Sequence, residues 1–351
     1  MSAETQTVLV TGASGFLGRA VLAAFAQHEN ITCIAACRDR SKLSDTFQGE
    51  VRQGDLRDPN YRQSVVQGVD VICHAGTWAS LWGHTQQEHT HFYQPTLDLI
   101  EQAITAGVKR FLMTSTVVIA EPARRARYNN PNAATVLDDF APGRYTGFWP
   151  HVDRLIDIDR YMQNNAGRGM QMTTMRLGHF VGAGNTLGLV PVLVPRLKTW
   201  LVPWLAKGRS RLPLIADTDL GNSFVAASIA NGLNDYESFN ICGTSFPSTR
   251  EVICYIAEKT NTPMPLFSVP YPAGYLFALL MEKLFPVLPG KAPFLTRSVV
   301  HLAEEWVCAT DYARNKIGFE PQKDWRVAMD EALSELQVKH YPWPYMSQIS
   351  S

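Results

Sequence analysis

The chain has 351 residues, 46% apolar and 18% charged, with Lys+Arg and Asp+Glu both at 32. That is a globular composition, long enough for a nucleotide-sized domain plus a smaller lobe, with neither a disorder signature nor a low-complexity run. Zero formal charge and no basic stripe along the sequence argue against a nucleic-acid partner or an anionic membrane, and six cysteines without a C-x-x-C pair read as reduced thiols, not a zinc or disulfide framework.

The opening MSAETQT has no basic-plus-apolar leader, which makes cytoplasm the expected location. Thr7 to Thr11, TVLVT, predicts a strand. The run Gly12-Ala13-Ser14-Gly15-Phe16-Leu17-Gly18 follows it, and a helical pattern spans Arg19 to His28. Strand, glycine turn and helix in that order is the setting of a dinucleotide fingerprint. Gly12 would allow the tight turn, Gly15 the approach of a pyrophosphate, and Gly18 close packing of the helix on the sheet, with the helix N-terminus toward the phosphates.

A second strand, Ile31 to Cys37, runs into Arg38-Asp39-Arg40-Ser41-Lys42. A carboxylate at that strand end would accept from a ribose 2′-hydroxyl and suit NAD; a cation would meet a 2′-phosphate and suit NADP. Arg38 and Lys42 favour NADP(H), and Asp39 keeps NAD(H) open. Strand Glu50–Gln53 leads to Gly54-Asp55-Leu56-Arg57-Asp58, where Asp55 could accept from an adenine amine. Strand 69–73 ends in His74-Ala75-Gly76, small residues that let backbone pass close to a cofactor. A helix from Gln86 to Ala106 crosses over to strand Lys109–Met113, which opens into Thr114-Ser115-Thr116. This alternation predicts an α/β fold with a Rossmann doubly wound parallel sheet and a ligand at the carboxyl ends of its strands.

Beyond Gly184 the text turns apolar and aromatic. Leu187 to Ala206 carries Arg196 and Lys198, and the charge-free stretch from Thr260 to Met281 is broken by Pro263, Pro265, Pro270, Pro272 and Gly274, so no membrane-spanning helix is expected. Such a lobe suits either its own core or a small hydrophobic substrate, and Trp200 with Trp204 would allow peripheral membrane contact. His74, His84, His89 and His91 have no metal-ligand spacing, so no metal is expected.

Over nearly its whole length the chain resembles the extended short-chain dehydrogenases/reductases of the NAD-dependent epimerase/dehydratase superfamily. The closest likeness is to the branch of 3β-hydroxysteroid and bacterial sterol or isoprenoid dehydrogenases. The motifs that carry it are TGASGFLG (Thr11 to Gly18), GDLRD (Gly54 to Asp58), HAG (His74 to Gly76) and KRFLMTST (Lys109 to Thr116). MRLGHFVGAG (Met175 to Gly184), FNICG (Phe239 to Gly243) and ATDYARNKIGFEP (Ala309 to Pro321) continue it. The resemblance implies a nicotinamide-dependent oxidoreductase, or an isomerase or lyase that uses the cofactor, with a C-terminal α/β substrate lobe. The division expected is residues 1–180 for the nucleotide, with later segments near 215–245 interleaved, and 181–351 mainly for the substrate. It implies that Thr116 holds the substrate oxygen, that Asp55 and Leu56 bracket adenine, and that Leu177, Gly178 and Val181 line the nicotinamide. The glycine-turn positions Gly12, Ser14, Gly15, Phe16, Leu17 and Gly18, with Ala75, Gly76 and Thr114, complete the expected cofactor contacts. A homodimer through sheet-flanking helices is an expectation by analogy.

The family's Tyr-x-x-x-Lys pair is missing. Its register falls on Trp149 and Asp153, and an alternative register puts Tyr145 at the tyrosine position; residues 142–160 contain no lysine. Indole N–H does not release a proton near neutral pH, and a carboxylate beside a phenol would raise its pKa. Tyr145, His151 and Asp153 are therefore the candidate acid/base groups, and a catalytically silent nucleotide sensor or partner subunit is the alternative reading.

Overall fold

The computed structural model describes residues 5–186, 188–285 and 293–339. Parts of the amino-terminal and apolar-lobe stretches read above (1–4, 187, 286–292), and 340–351, lie outside the described residues. The strands are β1 Gln6–Thr11, β2 Ile31–Cys37, β3 Glu50–Gln53, β4 Val71–His74, β5 Arg110–Thr116, β6 Gln171–Leu177, β7 His179–Val181, β8 Trp204–Leu205, β9 Leu214–Ala216, β10 Tyr236–Ile241 and β11 Ser268–Val269.

Seven of them form one sheet in the order β10-β6-β5-β4-β1-β2-β3, every adjacent pair parallel. The strand order reverses at β1 and β4, which opens a crevice at their carboxyl ends. The strands read as continuous apolar runs because both faces are covered. Leu9, Ile34, Ile72 and Phe111 pack against helices Pro59–Val65, Gln94–Thr105 and Pro150–Asn164, and Val8, Ala35, Val71 and Leu112 against Phe16–Phe25 and Asp217–Ile229.

Several boundaries differ from the sequence expectation, among them that of the fourth strand, which runs Val71–His74 instead of 69–73. The first helix begins at Phe16 with Gly15 as its cap, so Gly18 lies inside the first turn. Strand β5 continues to Thr116, which puts Thr114 and Thr116 on the sheet instead of in a loop. The long crossover helix starts at Thr85 and widens into a π turn over His89–Tyr93 before Gln94–Thr105.

The smaller lobe gathers Val194, Trp204, Leu214, Ile256 and Met329 into a separate core. Short parallel pairs β7–β9 and β8–β11 tie it together, and helices Tyr271–Leu284 and Arg297–Leu302 meet through Tyr271, Ala278 and Val300. Of the two tryptophans singled out above, Trp204 is buried beneath the Arg250 guanidinium, 4.3 Å from its ring, and Trp200 is exposed.

Two buried histidines join these parts. Gly76 N donates to Thr11 Oγ1 at 3.1 Å, and that hydroxyl meets His74 Nδ1 at 2.8 Å. On the other side of the ring His74 Nε2 lies 3.1 Å from Thr96 Oγ1, so each ring nitrogen has a hydroxyl partner in either tautomer. His301 Nε2 donates to Val118 O at 3.2 Å, bridging the lobe to the end of β5. Burial lowers the pKa of His74 to about 4 and that of His301 to about 4.

A Cβ at Gly18 would lie 2.2 Å from Gly12 O and 2.7 Å from Ala13 Cα, both backbone atoms. Gly18→Ala is expected to lower the melting temperature by roughly 5 °C, read by calorimetry; an unchanged melt would mean that the turn and helix separate freely. The histidines add a pH dependence. Their folded pKa lies below the unfolded value near 6.5, so the unfolded chain binds more protons between about pH 6.5 and 4. Stability is therefore present above that window and is lost as pH falls through it, by about 3 kcal/mol for a fully buried ring such as His74. Denaturant midpoints measured across the window check this, and a flat profile contradicts it.

Candidate active site

A cavity of about 1470 Å³ lies over the carboxyl ends of β1, β4 and β5 and continues into the smaller lobe. Its floor begins at the turn after β1. Gly12 has φ +62°, and a Cβ there would sit 2.6 Å from Gly76 Cα, so only glycine lets the turns after β1 and β4 touch. Ser14, Gly15, Phe16 and Leu17 line the cavity where helix Phe16–Phe25 starts, and no side chain caps that helix. Gly18 lies beneath, pressed on the turn. Arg19 braces the loop through Nη1 to Ser14 O at 3.1 Å and Nη2 to Gly184 O at 3.4 Å. An uncapped helix start over a glycine turn fits the pyrophosphate of a dinucleotide.

At the end of β2, Cys37 and Arg38 line the cavity, while Lys42 and Asp39 do not. Asp39 Oδ1 accepts from Ser41 N at 3.0 Å and Ser41 Oγ at 2.7 Å, and Lys42 Nζ lies 3.7 Å from Asp39 Oδ2. The carboxylate that would serve a 2′-hydroxyl is turned onto its own loop, and Lys42 with it. Asp55 and Leu56 line the cavity, but Asp55 is already gripped by Arg57, whose N and Nη2 each donate at 2.8 Å. Arg57 itself lines the cavity as a second cation that the sequence reading passed over inside GDLRD.

Ala75, Gly76, Thr114 and Gly178 line the cavity as expected, whereas Leu177 and Val181 do not. Strand parity turns Leu177 into the sheet core and Val181 into the lobe core. Gly178, His179 and Phe180 take their place, with the Phe180 ring 5.9 Å from that of Phe16. Thr114 Oγ1 and His179 Nε2 are buried without partners, polar positions left for a ligand. Burial, then the nearby His301, lowers the His179 pKa to about 4, so the ring stays neutral.

At the catalytic end Thr116 lines the cavity, and its Oγ1 accepts from Val118 N at 3.4 Å, leaving the hydroxyl proton for another acceptor. The structure separates the other candidates. Tyr145 is 47% exposed and lies outside the cavity wall. Its hydroxyl donates to Asp157 Oδ1 at 2.5 Å, which raises its pKa, the wrong direction for a proton relay near neutral pH. Asp153 is also outside. Its Oδ1 accepts from Thr146 N at 2.7 Å and Oδ2 from Gly147 N at 3.1 Å, so it clamps the loop before its helix.

Trp149, His151, Val152 and Leu155 line the cavity from helix Pro150–Asn164 and its cap. The cavity-facing pair four residues apart is thus His151 and Leu155, two residues on from the register set by Trp149 and Asp153. Trp149 is buried, with Nε1 donating to Ser80 O at 2.8 Å. His151 Nδ1 donates to Glu88 Oε1 at 2.6 Å. Glu88 is 1% exposed, and its Oε2 has no partner. A carboxylate on Nδ1 fixes the ring tautomer and leaves Nε2 as the nitrogen able to exchange a proton. Sequence reading missed Glu88, whose signal was a carboxylate on the apolar face of its helix, four residues before buried Phe92.

Beyond this point the walls are apolar: Leu189, Val192, Leu193, Val202, Phe277 and Leu302 among others. Arg196 is the cation on that stretch of wall, donating to Val192 O at 2.8 Å and Phe294 O at 3.0 Å, with burial lowering its pKa to about 10. Among the described residues no group of three or more His, Cys, Asp or Glu could hold a metal, and no helix is long and apolar enough to cross a membrane.

A 2-alkyl-3-oxoalkanoate reductase of Stenotrophomonas maltophilia (strain K279a) is 24% identical over 340 residues, covering 94% of this chain and 98% of that protein. The Escherichia coli (strain K12) protein YbjS, itself uncharacterized, is 23% identical over 342 residues, covering 93% and 96%. Among solved structures, MoeE5 in complex with UDP-glucuronic acid and NAD superposes with a TM-score of 0.70 at 17% identity, over 95% of this chain and 99% of that one. The UDP-glucose 4-epimerase of Thermotoga maritima, solved with UDP-glucose, gives 0.71 at 15% identity, over 95% and 100%. At such identities the structures establish the fold alone. The profile of the NAD dependent epimerase/dehydratase family matches residues 8–242, a span that runs from β1 and its glycine turn through β10, and this chain belongs to that family.

Proposed function

We propose that this protein is an NADP(H)-dependent oxidoreductase for a hydrophobic alcohol or carbonyl, with His151, held by the buried Glu88, as its proton donor and acceptor. The His151–Glu88 contact at the cavity wall carries this reading, because it sets an imidazole with a fixed carboxylate partner at the cavity where the family's tyrosine is missing. A bound nicotinamide would supply or accept the hydride. Thr116 offers its hydroxyl proton to the substrate oxygen. Nε2 of His151 gives a proton to that oxygen in reduction and takes it back in oxidation, with Glu88 as counter-charge. The apolar walls exclude water and suit alkyl or polycyclic carbon. The relative whose name describes reduction of a 2-alkyl-3-oxoalkanoate supports a carbonyl flanked by alkyl chains.

Preference for NADP(H) rests on Arg38 and Arg57 at the cavity wall and on Asp39 being occupied by Ser41. A second reading, a catalytically silent nucleotide sensor or partner subunit, draws on Leu155, which faces the cavity one turn after His151 and brings no charge there.

Purified protein with NADPH and a panel of hydrophobic ketones and β-oxo acids decides between them: turnover supports the enzyme, and tight binding without turnover supports the sensor. His151→Gln is expected to lower kcat about 10²–10⁴-fold while leaving the NADPH Kd unchanged, and Glu88→Gln to lower it by a smaller factor. A fully active His151→Gln protein would overturn the assignment. Arg38→Ser should weaken NADPH binding about tenfold or more and NADH binding little, measured by calorimetry; equal losses for both would remove the basis for NADP preference.

A further inference from the structure

The cavity opens through a rim of exposed apolar side chains that no described residue covers. Trp200, Leu266 and Leu276 are 58%, 73% and 60% exposed, and Leu201, Phe267 and Leu280 are exposed beside them. Pairing of β8 with β11, in which Trp204 N donates to Phe267 O at 2.8 Å, sets residues 200–203 beside 264–267. Helix Tyr271–Leu284 packs so closely on β8 that a Cβ at Gly274 would lie 2.9 Å from Leu205 Cδ2. Leu276 and Leu280, four apart, stand on one face of that helix. Leu201 and Phe267 also line the cavity, so the patch and the cavity mouth are one surface. Trp200 has φ +63°, a conformation rare for a non-glycine residue and here adopted by an exposed indole.

The charges on this face have one sign. Lys198, Lys207 and Lys283 are exposed and make no ion pair among the described residues. Ser268 Oγ accepts from Lys207 N at 2.9 Å, which places that lysine at β11, and Lys283 follows Leu280 on its helix. The stretches 198–209 and 264–284 contain a single carboxylate, Glu282, and Arg297 holds it at 2.7 Å. Lysines from two stretches of the chain, Lys198 and Lys207 in one and Lys283 in the other, thus flank the apolar rim of a protein that is neutral overall.

We propose that this face docks on an anionic lipid bilayer surface, with the lysines at the headgroups, the apolar rim seated below them, and the cavity mouth opening toward the lipid. An apolar rim supplies the area-dependent part of interfacial binding and clustered lysines the part that depends on lipid charge and salt. Passage of an apolar substrate from lipid into the cavity rests on the function proposed above; the docking itself does not.

The test is co-sedimentation of the full chain with phosphatidylcholine vesicles, with and without phosphatidylglycerol. Binding is expected to the anionic vesicles, to weaken in high salt, and to fall about tenfold in Leu276→Ser/Leu280→Ser and in Lys198→Glu/Lys207→Glu. These side chains do not line the cavity, so an unchanged melting temperature and NADPH Kd show that each variant is folded. Absence of binding to anionic vesicles, binding that both variants retain, or a dimer in light scattering that Leu276→Ser/Leu280→Ser dissolves would overturn the proposal. The last result would assign the face to a second copy of the chain. A protein that binds vesicles but turns over no substrate would retain the docking and lose only the function.

Discussion

The crevice at the strand reversal exists because the carboxyl ends of β1 and β4 are drawn into contact. Gly76 N, Thr11 Oγ1, His74 and Thr96 Oγ1 form one chain of hydrogen bonds across the sheet. Gly12 is the steric permit for the same contact, since any side chain there would strike Gly76. With those two turns in contact, the uncapped start of helix Phe16–Phe25 is aimed along the cavity floor. The histidine in this lock is a structural group: it is neutral, satisfied on both nitrogens, and buried. That separates it from His151, which has a carboxylate on one nitrogen and the cavity on its other side.

The cavity end near Thr116 departs from the family's Tyr-x-x-x-Lys pattern. A tyrosine relay needs a nearby cation to lower the phenol pKa. Here neither a tyrosine nor a lysine lines the cavity from helix Pro150–Asn164, and an imidazole hydrogen-bonded to a carboxylate does. Trp149 and Asp153, which occupy the old register, have become a wall and a loop clamp.

The sheet was legible because its signals are local. Strands β2 and β3 were read to the residue, since apolar runs bounded by turns are properties of neighbouring residues. Ser14, Gly15, Phe16 and Leu17 of the glycine turn and Ala75, Gly76, Thr114 and Gly178 line the cavity from such local signals. What escaped was orientation. Leu177 and Val181 lie in the right motif but face away, because one step along a strand turns a side chain to the opposite side. Asp153 was read as a candidate acid/base group, yet its oxygens reach back to Thr146 and Gly147. Glu88 lies 63 residues from His151, and nothing local to either announces the contact.

The π turn at His89–Tyr93 gives the site an unusual kind of adjustability. An α-helix turns about 100° per residue, so the one extra residue held in a wide turn sets the rotational phase of everything before it relative to everything after. Glu88 precedes the wide turn, while Leu99, Ile100 and Ala103 anchor the helix after it in the core. Shortening that turn by one residue would leave the anchored half in place and swing the carboxylate off the imidazole by about a quarter of a revolution. The length of that turn, and not side-chain chemistry alone, therefore sets whether the carboxylate meets the imidazole.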